Sequence, residues 1–154
     1  MLSQRDSEMT TDGEFRENSQ AVTAHLNIIQ AVIQRMAANS AGSKAWCITL
    51  VSAILVIVAD NGKPQYVLIA IVPTILFLFL DTYYLALEKG FRDAYNDFIS
   101  KLHSQQINST DLFAVEPKGA LWRLLLSSLI SFSIWPFYVM LFVMIYIVKG
   151  IVLK

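Results

Sequence analysis

Two uncharged, mostly apolar runs constrain this chain more than anything else in it. They are AWCITLVSAILVIVA, Ala45 to Ala59, and YVLIAIVPTILFLFL, Tyr66 to Leu80. Each has 15 residues, a little short of the ~20 that cross a ~30 Å hydrocarbon layer. Flanking residues extend both: Asn39 to Lys44 leads into the first, and DTYYLAL, Asp81 to Leu87, prolongs the second with tyrosines suited to an interface. Between them DNGKP, Asp60 to Pro64, is a turn signal. Neither run has a polar face to show to water. The pair therefore reads as an antiparallel transmembrane hairpin, with spans near 44–60 and 65–83, and not as the buried hairpin of a soluble protein.

Composition agrees. The chain has 154 residues, 55% hydrophobic and 16% charged, with mean hydropathy +0.51, whereas a soluble domain is nearer a quarter charged. The net charge is zero, so there is no electrostatic footprint for direct nucleic-acid binding. The single cysteine, Cys47, lies in an apolar run and reads as a small buried hydrophobe. Residues 1–18 are polar, carry no apolar core of a signal peptide, and are expected to be a disordered, solvated tail.

A third hydrophobic segment covers 121–150. Leu124 to Val148 is 25 residues without a charge, enough for one tilted span. Trp135-Pro136 falls near its middle, so the segment is expected to be a single span kinked at Pro136, with a re-entrant or broken helix as the alternative. Pro73 is expected to kink the second span. Ser127 and Ser131 stand four apart, a small-residue pair that lets helices approach. With three spans, nine Lys and Arg lie on the side of the N-terminus and of 81–123, against Lys63, Lys149 and Lys154 on the other. That places the N-terminus in the cytoplasm of a multi-pass inner-membrane protein.

Helical periodicity continues outside the runs. Val22, Leu26, Ile29, Ile33 and Met36 form a seam, as do Tyr84, Leu87, Phe91, Tyr95, Phe98 and Leu102. One seam leads into the first span and the other out of the second. They are expected to pair as a cytosolic antiparallel extension of the hairpin, giving one helical unit over 19–107 and a loop over 108–120. Asp81 then marks the water boundary. Asp81, Glu88 and Arg92 share a stripe, with Glu88 and Arg92 in the favourable i,i+4 order. The stripe reads either as a solvated face or, with Tyr84 and Phe91, as a contact for a partner or a second subunit. Ala37, Ala41, Ala45, Thr49 and Ala53 recur every four residues beside Gly42. They offer close helix packing, within the chain or in a homo-oligomer.

Catalytic patterns are lacking. Two histidines, His25 and His103, and one cysteine give no metal-ligand spacing, and there is no phosphate loop or nucleophile elbow. No cofactor is expected. The fold class is an all-α membrane protein: a hairpin extended by a cytosolic helix pair, plus a C-terminal hydrophobic helix.

The stretch DTYYLALEKGFR, Asp81 to Arg92, resembles the D-x-Y-Y-L-x-x-E-x-x-F-R signature of small bacterial two-span membrane proteins. NIIQAVIQRMAANS, Asn27 to Ser40, followed by KAW, resembles the run before their first span. Such proteins are similar in architecture to SLATT-type membrane effectors of antiphage systems associated with retrons or nucleotide signalling. The resemblance covers about Ala24 to Phe98. It implies an effector that permeabilises or depolarises the inner membrane in abortive infection. The release would come from a sensor or inhibitor protein, or a ribonucleoprotein, encoded nearby. A non-toxic anchor for a cytosolic complex and a small channel or transporter subunit are the other two readings.

Overall fold

A computed structural model describes residues 19–61 and 63–152. The expected tail over 1–18 lies outside the described residues, which form helices without a strand. Helix α1 runs from Gln20 to Asn61, 42 residues, about 63 Å at 1.5 Å per residue. Ser19 caps it, its hydroxyl accepting the Val22 N–H at 3.2 Å. A 3₁₀ segment, Pro64–Ala70, begins with a proline pre-set for the first turn. It leads into α2, Ile71–His103. One 3₁₀ turn follows at Ser109–Asp111, then α3, Leu121–Leu129, and α4, Trp135–Val152.

The two long helices pack antiparallel. Val22 meets Phe98 and Leu102 at one end, Gln30 reaches Tyr95 at 3.4 Å, Lys44 meets Asp81, and Val58 packs with Val67 at the other end. The first seam points inward at Val22, Ile29 and Met36, and Phe98 and Leu102 of the second are buried against it.

Alpha4 joins the apolar half of this pair. Ile134, Tyr138, Leu141 and Ile145 form one cluster with Cys47, Val51, Leu55 and Val58 of α1 and with Val67 and Ala70. Its spacing of 4, 3 and 4 is a helix face closing a three-helix core. Alpha1 and the helix over 65–103 are each long and apolar enough to cross a membrane. Only 28% of the most apolar stretch of each is buried inside the chain. A core helix of a soluble protein hides most of that surface, whereas here Val56, Ile57, Val72 and Phe79 point outward.

The third hydrophobic segment follows the broken-helix alternative and not the favoured single span. It is two helices, separated by a turn over 130–134, and not one kinked span. Ile134 and Trp135 both donate backbone N–H groups to the Ser131 carbonyl, at 2.9 and 3.2 Å. Pro136 is the second residue of α4, where its missing N–H costs nothing, so it starts a helix instead of kinking one. Pro73 likewise falls in the first turn of α2, just after the change from 3₁₀ to α geometry. Ser127 lies in α3 and Ser131 in the turn, so the two share no helix.

Candidate functional site

Three helices converge on one charged group. On α1, Ser40, Lys44 and Cys47 share a face at spacings of 4 and 3. On α2, Thr74 and Asp81 share one at 7. Asp81 is fully buried. The Ser40 hydroxyl donates to its Oδ1. Lys44 Nζ lies 2.8 Å from Oδ1 and 2.6 Å from Oδ2. Asp81 turns inward, onto a cation four residues past its hydroxyl donor. Tyr138 of α4 comes down beside Asp81. Its buried hydroxyl makes no hydrogen bond of normal geometry.

The stripe expected to run from Asp81 through Glu88 to Arg92 changes character along its length. Glu88 is buried, while Arg92 is exposed and closes on it with Nη2 2.7 Å and Nε 2.9 Å from Oε1. Asp81 therefore answers to α1 and only Arg92 faces out. Tyr84 and Phe91 are half-buried. The small-residue stripe is not the α1–α2 contact: Ala41 and Ala45 are exposed and Ala37 is half-buried. A Cβ built on Gly42 meets nothing within 4 Å. Ser127 is exposed, its carbonyl accepting from Lys89 Nζ at 2.9 Å.

Sequence reasoning passed over Gly90. A Cβ there would lie 2.9 Å from Pro117 Cβ and 3.1 Å from Leu124 Cδ1. The Lys118 N–H donates to the Gly90 carbonyl at 3.0 Å. Glycine here is the seat of the segment leading into α3. A helical glycine between Lys89 and Phe91 was the available signal.

At the distal end of the helix pair His25 is buried between Phe98, 4.3 Å between ring centroids, and Phe113, 6.4 Å. Its Nδ1 accepts the Phe113 N–H at 2.9 Å. Burial holds the imidazole below its ordinary range, with Asp111 opposing. Asp111 accepts from Lys101 Nζ at 2.8 Å and from the Asn108 N–H at 3.1 Å. These bonds draw its carboxyl down, and the pairing pushes Lys101 up. Asp97 pairs with Lys118 at 2.5 Å. The 104–120 connection is therefore strapped to the helix pair by one neutral imidazole and two ion pairs.

Among the described residues no three His, Cys, Asp or Glu side chains converge as metal ligands. What the arrangement does chemically is hold a carboxylate away from solvent and pair it with a single ammonium and a hydroxyl. Compared with protein-family models, curated proteins and solved structures, the chain matches none.

Proposed function

We propose that the chain is a multi-pass protein of the bacterial inner membrane with its N-terminus in the cytoplasm. In this reading α1, α2 and α4 cross the bilayer, and the polar halves of α1 and α2 form a cytosolic stalk. Its role is that of an antiphage effector: a partner or phage cue shifts the stalk, several copies assemble, and the membrane depolarises. The observation that carries this reading is the Lys44–Asp81 pair. Ionisable groups at membrane depth are costly and mark functional sites by default. This pair joins two crossings, touches the third through Tyr138, and sits at the base of the stalk.

The test is membrane potential in bacteria expressing the chain from a tight inducible promoter. A voltage dye and propidium uptake are read together, with and without neighbouring genes and under phage challenge. The expected result is depolarisation by wild type on release of its trigger, with an altered threshold in Lys44→Met at equal membrane level. An intact potential under every condition, in a strain the protein protects, would sink the effector reading.

That outcome would favour a non-toxic anchor for a cytosolic complex. The stalk offers a specific feature for it, a shallow groove of 350 Å³ lined by Gln30, Ile33, Gln34, Arg92, Tyr95 and Asn96.

A further inference from the structure

Alpha3 is too short to cross a bilayer: its 9 residues make about 14 Å. It packs on α2 alone through Leu124, against Gly90, and Ser127, against Lys89. At 100° per residue its side chains fall into three sectors. Leu124 and the buried Ser128 face α2. Arg123 and Ser127 form a polar edge. Trp122, Leu126 and Leu129 form an exposed apolar arc, continued after the helix by Ile130 and Phe132, which are 75% and 82% exposed.

The depth of this arc follows from the helix pair. Counting about 20 residues back from Asn61 puts the near edge of a hydrocarbon layer at Ala41. The Lys44–Asp81 pairing carries that level across to Tyr84. Gly90 is six residues further, about 9 Å along the helix axis. A helix lying in a membrane surface sinks its apolar face ~5–10 Å into the boundary between headgroups and chains. The apolar arc is also continuous with the outward face of α4 through Trp135, exposed at the same end. Charge fits as well. No acidic residue occurs after Glu116. Arg123 stacks over Trp122 at 5.1 Å, the pairing of an aromatic ring with a cation that suits the phosphate level.

We propose that α3 and the turn after it are a membrane-surface helix, docked in the headgroup layer of a phospholipid bilayer on the side that bears the helix pair, with Arg123 at the lipid phosphates. The proposal rests on the membrane reading above. It makes α3 a strut between the bilayer surface and the Glu88–Gly90 stretch of α2.

The test uses the full chain in phosphatidylcholine–phosphatidylglycerol vesicles. The sequence has three tryptophans, Trp46, Trp122 and Trp135. One variant keeps only Trp122 (Trp46→Phe, Trp135→Phe) and another only Trp135. Fluorescence is quenched by lipids brominated near the headgroup or near the chain end, and by aqueous iodide. Trp122 is expected to be quenched about twofold more by shallow than by deep bromine, as for a helix in the interface. Adding Leu126→Glu should remove most of that quenching and leave Trp135 unchanged. A deep profile for Trp122 overturns the proposal by making α3 part of a crossing. Iodide quenching of Trp122 without bromolipid quenching, while Trp135 responds to bromine, overturns it and leaves the membrane reading standing. Loss of bromolipid quenching at both tryptophans overturns both.

Discussion

Asp81 and Lys44 are unequal partners. Asp81 is 0% exposed and its Lys44 neighbour 20%, so the lysine can swing its charge outward on a flexible stem and the carboxylate has nowhere to go. Lys44→Met should therefore cost about 3–5 kcal/mol, because it strands a buried charge. Asp81→Asn should cost about 1.5–3 kcal/mol, the range of charge-assisted hydrogen bonds. Replacing both by apolar residues should recover most of the loss. Thermal unfolding in detergent micelles measures all three, and equal losses for the two single variants would rule out this asymmetry. The glycines make a second pair. Gly42→Ala meets nothing within 4 Å and should stabilise by about 1 kcal/mol through helix propensity. Gly90→Ala gains the same propensity but overpacks Pro117 and Leu124, at a cost of about 1–3 kcal/mol. The expected order of melting temperatures is Gly42→Ala, wild type, Gly90→Ala; a Gly90→Ala that melts above wild type would show that Pro117 yields freely. The ion pair was within reach of the sequence. Once the two seams pair antiparallel, Val22 against Leu102, the same register sets Lys44 opposite Asp81. At Gly90 only the helical glycine was a signal; what it seats was not legible, because Pro117 and Lys118 come from a loop with no periodicity to read.

Elements were legible where one face repeated. The α1 seam repeats at helical period and buries Val22, Ile29 and Met36 as its spacing implies, whereas on α2 only the distal Phe98 and Leu102 of the seam are buried and the face turns to Thr82, Ala86, Glu88 and Gly90 nearer Asp81. The 121–150 segment carries no charge from Leu124 to Val148, and such a run says little about where a helix stops. What breaks it is local: weak helix formers at Ser131 and Ser133, then a proline whose fixed φ suits a helix start. The 104–120 connection carries a different signal, because His25 lies far from it in sequence. There the neutral imidazole is what the Phe113 N–H needs, since a protonated Nδ1 cannot accept. His25 is held below its ordinary value near 6.5 in the docked state, so the undocked state binds more protons. Docking is complete above that value and weakens as pH falls through it toward the lowered one. Asp97, Lys101, Asp111, Glu116 and Lys118 line the same hollow; there Lys101 holds the Asp111 carboxyl below its ordinary range, so that pair keeps its charge over this interval. Hydrogen exchange of the Phe113 amide should thus accelerate between about pH 7 and 5, beyond the intrinsic rate, in wild type and not in His25→Gln. An identical pH response in both proteins would place the latch elsewhere.

At the scale of the whole molecule, length and packing pull the proposed function in one direction. Alpha1 is about twice as long as a ~30 Å hydrocarbon layer, so in the proposed membrane reading half of it would stand outside as a lever. Inside the layer, the core of one copy is filled by side chains from all three helices, with Val51, Val67 and Ile134 fully buried. With that core filled, the conduction proposed for the chain would come from a space between copies. The exposed stripe of Ala41, Ala45, Thr49 and Ala53 on α1 is the one α1 face where backbones can come close, since α1–α2 packing leaves it unused. Ion flux from vesicles holding the purified protein should then rise more steeply than the first power of the protein-to-lipid ratio, with an apparent order of about two or more. Ala45→Leu should shift that curve to higher protein without moving the melting temperature, because in a single copy the side chain is exposed. A strictly first-order rise would assign conduction to the single chain, and the filled three-helix core would then have to open. No flux at any ratio, with the protein folded and inserted, would leave the stalk and its groove as the working part and turn the molecule into an anchor.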